Sequence, residues 1–253
     1  MKLIKTKLQN GLDFWYREDD KFIGQRIALR KYEEYESILI LRLAKLAQDY
    51  SIAVDIGANI GYYTLLLAKV CKKVYAFEPD KDCFEILKKN VEENKLKNVT
   101  LFNKAVGNEN KKVGIVKDKS NFGNSKIVES LKSKSLKVEC VRLDDVIKER
   151  IDLMKIDVQG YEEKVIEGAR KIIKKYSPTI FMEHNGGKLD FLKDVYKNIY
   201  TIDYWFYICK KGIVVDKKTG YADLLLTNKK ISFGNRYKNV QWKKVIKDIM
   251  GYV

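Results

Sequence analysis

The sequence predicts an α/β fold built on a mostly parallel, doubly wound sheet. Two observations carry this. From residue 51 onward, short apolar runs ending in Gly or an acid alternate with longer amphipathic stretches, and strands alternating with helices pack as a parallel sheet covered on both faces. Near the end of the chain, two runs flanking KKG (210–212) read as a hairpin, which adds an antiparallel strand at the sheet edge.

Residues 1–32 are mixed, with LDFWYR (12–17) reading as a short strand. Residues 33–48 lack Gly and Pro and are rich in Leu, Ile and Ala, so they read as a helix ending before SIAVDIG. Residues 52–56 form a short apolar run stopped by Gly57, hence a buried strand. A helix over 60–70, a strand over 74–77, a helix over 81–93 and a strand over 99–103 follow. Residues 107–135 are polar, with NFGNS in the middle, and read as a loop or short hairpin. Strands are predicted over 138–143 and 153–157. Between 161 and 176, Val165, Ile166, Ala169, Ile172 and Ile173 share one face of a predicted helix. A strand over 179–183, a helix over 188–198, the hairpin 204–209 and 213–215, and a last strand over 222–227 complete the pattern. The domain reading is an N-terminal extension with a helix (1–50), one α/β domain (51–228) and a basic tail (229–253).

A chain of 253 residues with 45% hydrophobic and 11% aromatic content is not a disordered chain. No run approaches 18 apolar residues, and the start lacks a 7–15-residue apolar core, so the sequence predicts neither a membrane span nor a secretory signal. Cys71, Cys83, Cys140 and Cys209 form no C-x-x-C pair, which argues against a structural zinc site or a disulfide framework. Four reduced thiols fit a cytoplasmic protein. The net charge of +16 points towards nucleic acid, but of 50 basic residues only eight are Arg, leaving 42 Lys. Arg is the residue suited to forked phosphate and base contacts, and the lysines are scattered in KK pairs. That pattern reads as a solvated surface. It leaves an anionic acceptor, such as a phosphate-linked sugar, as the live part of the charge argument.

VDIGANIGYYT (54–64) is the most informative segment. Asp55 ends a buried strand, and Gly57 and Gly61 bracket a tight turn into a helix. Glycine there lets the backbone bend and lets a ligand approach without a Cβ in the way. Glu78 ends the next strand 21 residues after Gly57, where an acid can accept hydrogen bonds from a ribose diol. No Lys with Ser or Thr follows as in a phosphate-binding loop, so the ligand carries a ribose without a polyphosphate. S-adenosylmethionine fits, and Asp55 can offset its ammonium or sulfonium charge.

VDIGANIGYYT, YAFEPDKDCFEILKKNVEENKLKNVTLFNKAVG and LDDVIKERIDLMKIDVQGYEEKVIEGA together resemble the FkbM-type family of S-adenosylmethionine-dependent O-methyltransferases, over roughly residues 50–228. The resemblance implies a Rossmann-like, seven-stranded methyltransferase fold and methyl transfer to a hydroxyl of a sugar or glycoconjugate. By position it implies that Asp55, Gly57, Ala58, Asn59, Gly61 and Thr64 form the cofactor turn, that Glu78 holds the ribose, and that Asn103 and Ala105 lie at the adenine edge. Asn121, Gly123 and Ser125 fall where the family closes over its acceptor. Gln159 stands where the family often carries Glu, which removes a carboxylate.

Reacting groups in open α/β sheets gather beyond the carboxyl ends of the strands. Asp157, Glu183 and His184 fall there. His184, the single histidine, has a side-chain type suited to a base at neutral pH. Asp157 is a second base, a cofactor contact or a helix cap. Glu183 orients His184 or the acceptor, or joins Asp157 on a divalent cation such as Mg²⁺. An RNA ribose 2′-O-methyltransferase, with Lys155 near Asp157, and a non-catalytic cofactor-binding module are the rival readings. Base amine methylation is disfavoured because the chain has no Pro-Pro pair, and cytosine C5 methylation because no cysteine follows Pro or Thr. Nucleic acid is therefore the minor partner class. The stretch NVQWKKVIKDIM (239–250) spaces Trp242, Val245, Ile246 and Ile249 on one helix face, which either covers the core edge or associates weakly with an anionic surface. The sequence assigns no oligomeric state.

Overall fold

The computed structural model describes residues 2–8, 10–29, 40, 51–118, 123, 125–129, 135–184, 192, 196, 198–202, 208–209 and 222–227. The N-terminal part forms a hairpin of β1 (Leu3–Lys7) and β2 (Asp13–Arg17), followed by the short helix α1 (Gly24–Ala28). The core then alternates β3 (Ile52–Ile56), α2 (Tyr62–Val70), β4 (Lys73–Phe77), α3 (Lys81–Glu93) and β5 (Val99–Phe102). The insertion after β5 contains β6 (Ala105–Val106), β7 (Lys111–Val116), β8 (Lys126–Val128) and β9 (Leu136–Val141). The short helix α4 (Leu143–Val146), β10 (Leu153–Ile156), α5 (Glu162–Gly168), α6 (Arg170–Tyr176) and β11 (Thr179–His184) follow. The last strands are β12 (Asn198–Ile202), β13 (Ile208–Cys209) and β14 (Ala222–Thr227).

The main sheet runs β13-β12-β14-β11-β10-β3-β4-β5. Strands β11, β10, β3, β4 and β5 are mutually parallel, and β14 is antiparallel to both β11 and β12. The edge strand β13, from the predicted hairpin, pairs antiparallel with β12, and β14 is a further antiparallel strand inside the sheet, between β11 and β12. The two-residue β13 adds an eighth strand to the expected seven. Along the chain the sheet grows from β3 outward to β5, then restarts on the other side of β3 with β10. The order therefore reverses between β3 and β10, and the crevice above that point is where ligands bind in open α/β sheets.

Both faces of the sheet are buried, as parallel strands require. Val54, Ile56, Met154 and Ile156 face α5 and α6 together with Val165, Ile166 and Ile173. Ala53, Leu153 and Phe181 face α2 with Tyr63 and Leu67, and Ile40 packs into the same cluster. The rest of the predicted helix 33–48, most of 188–198, all of the predicted hairpin 204–215 except 208–209, and the tail beyond 227 lie outside the described residues.

Three local features depart from the periodicity. The predicted helix over 161–176 is two helices, broken at Ala169. Asp144, buried on α4, accepts the N–H groups of Lys171 (3.0 Å) and Ile172 (2.9 Å) and so caps α6 from a distance. The insertion is a second sheet, ordered β6-β9-β7-β8, in which Val113, Ile115 and Cys140 face inward and are buried. Finally, β2 is held against α3 by two asparagines. Asn90 accepts the Trp15 N–H (2.6 Å) and donates to the Trp15 carbonyl (3.0 Å), and Asn94 does the same to Asp13 (2.9 and 2.7 Å). Four helical residues rise about 6 Å and two strand residues about 6.6 Å, so the two amides match alternate peptide groups of the strand.

Candidate active site

The site begins with the turn after β3. Gly57 (φ +79°) and Gly61 (φ +96°) adopt left-handed backbone, as does Asn59 (φ +50°), a residue type that tolerates it. The N–H groups of Gly57 and Ala58 both donate to the Phe77 carbonyl at 3.0 Å, which locks the turn to the end of β4. Glu78, the next residue, accepts the Asn59 N–H on one carboxyl oxygen (2.8 Å) and the Asp80 N–H on the other (2.7 Å). Asp80 caps α3 by accepting the Asp82 N–H, and Lys117, beyond β7, pairs with Asp80 at 2.7 Å and Asp82 at 2.6 Å. Burial pushes the Glu78 carboxyl up to about 8, despite the two backbone N–H groups that pull it down.

These elements border an open cleft. Of the predicted cofactor residues, Gly57, Asn59, Glu78, Ala105 and Asp157 line it. Gly123 and Ser125 of the predicted acceptor segment do so as well, and Asn121 lies outside the described residues. Ala58, Gly61, Thr64 and Asp55 stand behind the lining. Thr64 Oγ1 donates to Asp55 Oδ2 at 2.6 Å, and Asp55 Oδ1 is buried with no hydrogen-bond partner among the described residues. Burial raises the Asp55 carboxyl against the pull of Lys155 and the Thr64 hydroxyl. Asn103 is not among the residues that line the cleft; its side chain donates to the carbonyls of Glu78 (2.8 Å) and Pro79 (3.2 Å), so it ties the ends of β4 and β5 together.

On the opposite wall, Asp157 follows β10. Its Oδ2 lies 3.1 Å from Lys155 Nζ, and its Oδ1 accepts the Gln159 amide at 2.9 Å. Burial would raise this carboxyl, but the Lys155 ammonium and a hydrogen bond shared with Glu183 hold it below its ordinary range. The structure therefore brings Asp157 and Glu183 together, as neighbours across the parallel pair β10 and β11. Both Asp157 oxygens are taken by nitrogen donors, and among the described residues no three His, Cys, Asp or Glu side chains gather as a cation site would need. The His184 backbone ends β11 beside Ala222 of β14, and its side chain lies outside the described atoms.

Sequence reasoning passed over Gln159 and Asp80 as structural partners of the site and gave Lys155 a role in the RNA reading alone. For Lys155 the alternation of K-x-D (155–157) was the signal, since residues two apart on an extended chain share a face. Cys71, Cys83 and Cys140 are buried, none lines the cleft, and burial pushes the Cys71 and Cys140 thiols up to about 11. Among the described residues, no helix is long and apolar enough to cross a membrane.

Methyltransferase 1 of Beauveria bassiana is 27% identical over 146 residues, covering 47% of this chain and 59% of that protein. Methyltransferase sdnD of Sordaria araneosa is 28% identical over 152 residues, covering 46% and 59%. The aligned region thus spans about three-fifths of each curated relative. Among solved structures, Methyltransferase FkbM from Methylobacillus flagellatus superposes with a TM-score of 0.48 at 17% identity, over 71% of this chain and 44% of that one. SMU.1697c from Streptococcus mutans, solved in complex with SAH, gives 0.48 at 15% identity over 75% and 95%. The family model described as the methyltransferase FkbM domain matches residues 55–212. Because that match starts at Asp55, takes in every residue that lines the cleft and covers more than half of the sequence, the chain belongs to the FkbM methyltransferase family.

Proposed function

We propose that the protein is an S-adenosylmethionine-dependent O-methyltransferase acting on a hydroxyl of a sugar or glycoconjugate. The observation that carries this reading is the cleft at the reversal of strand order, with Glu78 on one wall and Asp157 on the other. The residues fit the cofactor. Each Glu78 oxygen accepts one backbone N–H and keeps a lone pair for a ribose hydroxyl. The orphan Asp55 Oδ1 beneath the glycine turn suits a cationic ligand. When bound, S-adenosylmethionine supplies a methyl group activated by its sulfonium.

Transfer forms an O–C bond and breaks the C–S bond, whose electron pair goes to sulfur, and the hydroxyl proton must pass to the protein. The Asp157–Glu183 pair and His184 are the groups at the strand ends that take it. A positioned base contributes about 10²–10⁴-fold, and holding the two reactants in line contributes roughly 7–11 kcal/mol. Positioning by the cleft walls is the larger effect.

The test is a labelled-methyl transfer assay against a glycan panel and bulk RNA, with S-adenosylhomocysteine calorimetry alongside. Labelled glycan supports the reading. Labelled RNA without labelled glycan moves the acceptor to a ribose, and cofactor binding with no transfer to either leaves a non-catalytic module. His184→Ala should lower turnover far more than cofactor affinity. Near-normal turnover in that variant assigns the proton to the Asp157–Glu183 pair.

A further inference from the structure

Behind the cleft, on the sheet face covered by α2, one ammonium sits among carboxyl groups from two strands. Lys155 of β10 and Asp55 of β3 are register partners on adjacent parallel strands, so their side chains leave the sheet side by side. Asp157, two residues further on, returns to the same face, and its Oδ2 is 3.1 Å from Lys155 Nζ. The Tyr63 ring of α2 stacks over the ammonium, with its centroid 4.9 Å from Nζ. Lys155 is 5% exposed and Asp55 is fully buried. A buried lysine costs desolvation that packing alone does not require, and it persists where it is paired. Here it pairs with Asp157, the carboxylate in the opposite wall of the cleft, and stands beside Asp55, the carboxylate under the glycine turn, as its register neighbour.

We propose that Lys155 is a positioning residue that sets the charge of the methyl-transfer site, holding Asp157 towards the cleft and offsetting Asp55, so that it governs how the site discriminates a sulfonium from a neutral thioether. The inference rests on the methyltransferase reading above. The sulfur of the cofactor is cationic before transfer and neutral after it. Two buried acids with no resident cation would hold the charged form and resist its loss. An ammonium beside them evens the balance between cofactor and product and favours the step in which the sulfonium charge disappears.

Calorimetry on the full chain with S-adenosylmethionine and S-adenosylhomocysteine tests this, read as the ratio of the two dissociation constants. Lys155→Met should shift the ratio towards S-adenosylmethionine by about tenfold, the influence of one unit charge near the site at a protein's effective dielectric. Lys155→Arg, which keeps the charge, should leave it within about threefold of wild type on the same grounds. An unchanged ratio in Lys155→Met, or an equal shift in Lys155→Arg, overturns the proposal. Where Lys155→Met does not fold, Asp157→Asn carries the test in the opposite sense: the ratio should move towards S-adenosylhomocysteine by about tenfold, and no movement overturns the proposal. If neither compound binds the wild-type protein, the methyltransferase reading itself fails. If both bind and the ratio ignores these charges, the role of Lys155 alone fails.

Discussion

Gly57 and Asp157 approach so closely that a Cβ on Gly57 would lie 1.8 Å from the Asp157 carbonyl oxygen. Gly57 is also at φ +79°, so a side chain there meets backbone strain and a backbone clash together. The approach follows from the pairing of β3 and β10, whose last bond runs from the Asp157 N–H to the Ile56 carbonyl at 3.0 Å. Gly57→Ala should therefore destabilise the fold by more than the roughly 1–3 kcal/mol of a strained backbone alone, and should abolish S-adenosylhomocysteine binding. Gly160 is the internal control. It has φ +101° but nothing within 4 Å of its would-be Cβ, so Gly160→Ala should cost the backbone strain and no more. Urea unfolding of the two variants checks the order, and equal losses would mean that the 1.8 Å contact relaxes freely.

Glu78 predicts a pH dependence of stability. Its carboxyl sits at about 8 in the folded protein against an ordinary 4.5. Between those values the folded state binds more protons than the unfolded chain, so stability is fully present at low pH and falls as pH rises through the window. The slope from one such group is at most about 1.4 kcal/mol per pH unit. Glu78→Gln removes it while keeping a similar shape. Unfolding of wild type and variant at pH 5.5, 6.5 and 7.5 should show a stability difference that moves in the variant's favour with rising pH. A constant difference would mean that Glu78 is ionised throughout.

The parts of the fold that were legible in the sequence are those whose cause is local. The ends of α3 match the prediction residue for residue because Asp80 caps its first turn from the adjacent position. The strand stopped by Gly57 was readable because the glycine is the stop. What stayed hidden is caused at a distance. The break at Ala169 depends on Asp144 reaching α6 across 27 residues, and no helical pattern contains that carboxylate. The interior place of β14 depends on which strand it joins, and alternation of side chains is the same at an edge and inside. In the site, position alone picked out Glu78, Gly57 and Asp157. It could not tell that Asn103 spends its amide on two carbonyls, or that Thr64 supports Asp55 from behind.

Asn90 should be one of the costliest single positions outside the cleft. Its amide is fully buried and satisfies the Trp15 N–H and carbonyl together with the Ile60 carbonyl (2.8 Å). It therefore joins the N-terminal hairpin to the glycine turn after β3 through α3. Asn90→Ala leaves those backbone groups without their partner, and each such loss costs about 1–3 kcal/mol when water cannot replace it. Asn90→Asp keeps the acceptor for Trp15 but loses both donated bonds and buries a charge. Both variants should lower the unfolding midpoint, and hydrogen exchange at the Trp15 amide should accelerate in the alanine variant. Protection of that amide in Asn90→Ala would show that β2 is held by β1 alone.

Gln159 tests the carboxyl pair. Its amide donates to Asp157 Oδ1 at 2.9 Å from a left-handed backbone (φ +54°), while Glu183 shares a hydrogen bond with the same carboxyl. In Gln159→Glu the donor becomes a third acid in one cluster, and like charges at that range resist joint ionisation. If the pair must be ionised to take the acceptor's proton, the acidic limb of the pH–rate profile should move up by about one unit with the plateau preserved. Gln159→Leu removes the donor without adding a charge, so its shift should be smaller. The order of the two variants separates charge from hydrogen bonding: a larger shift in Gln159→Leu would place the effect in the lost bond, and an unmoved limb in both would take Asp157 and Glu183 out of the proton transfer.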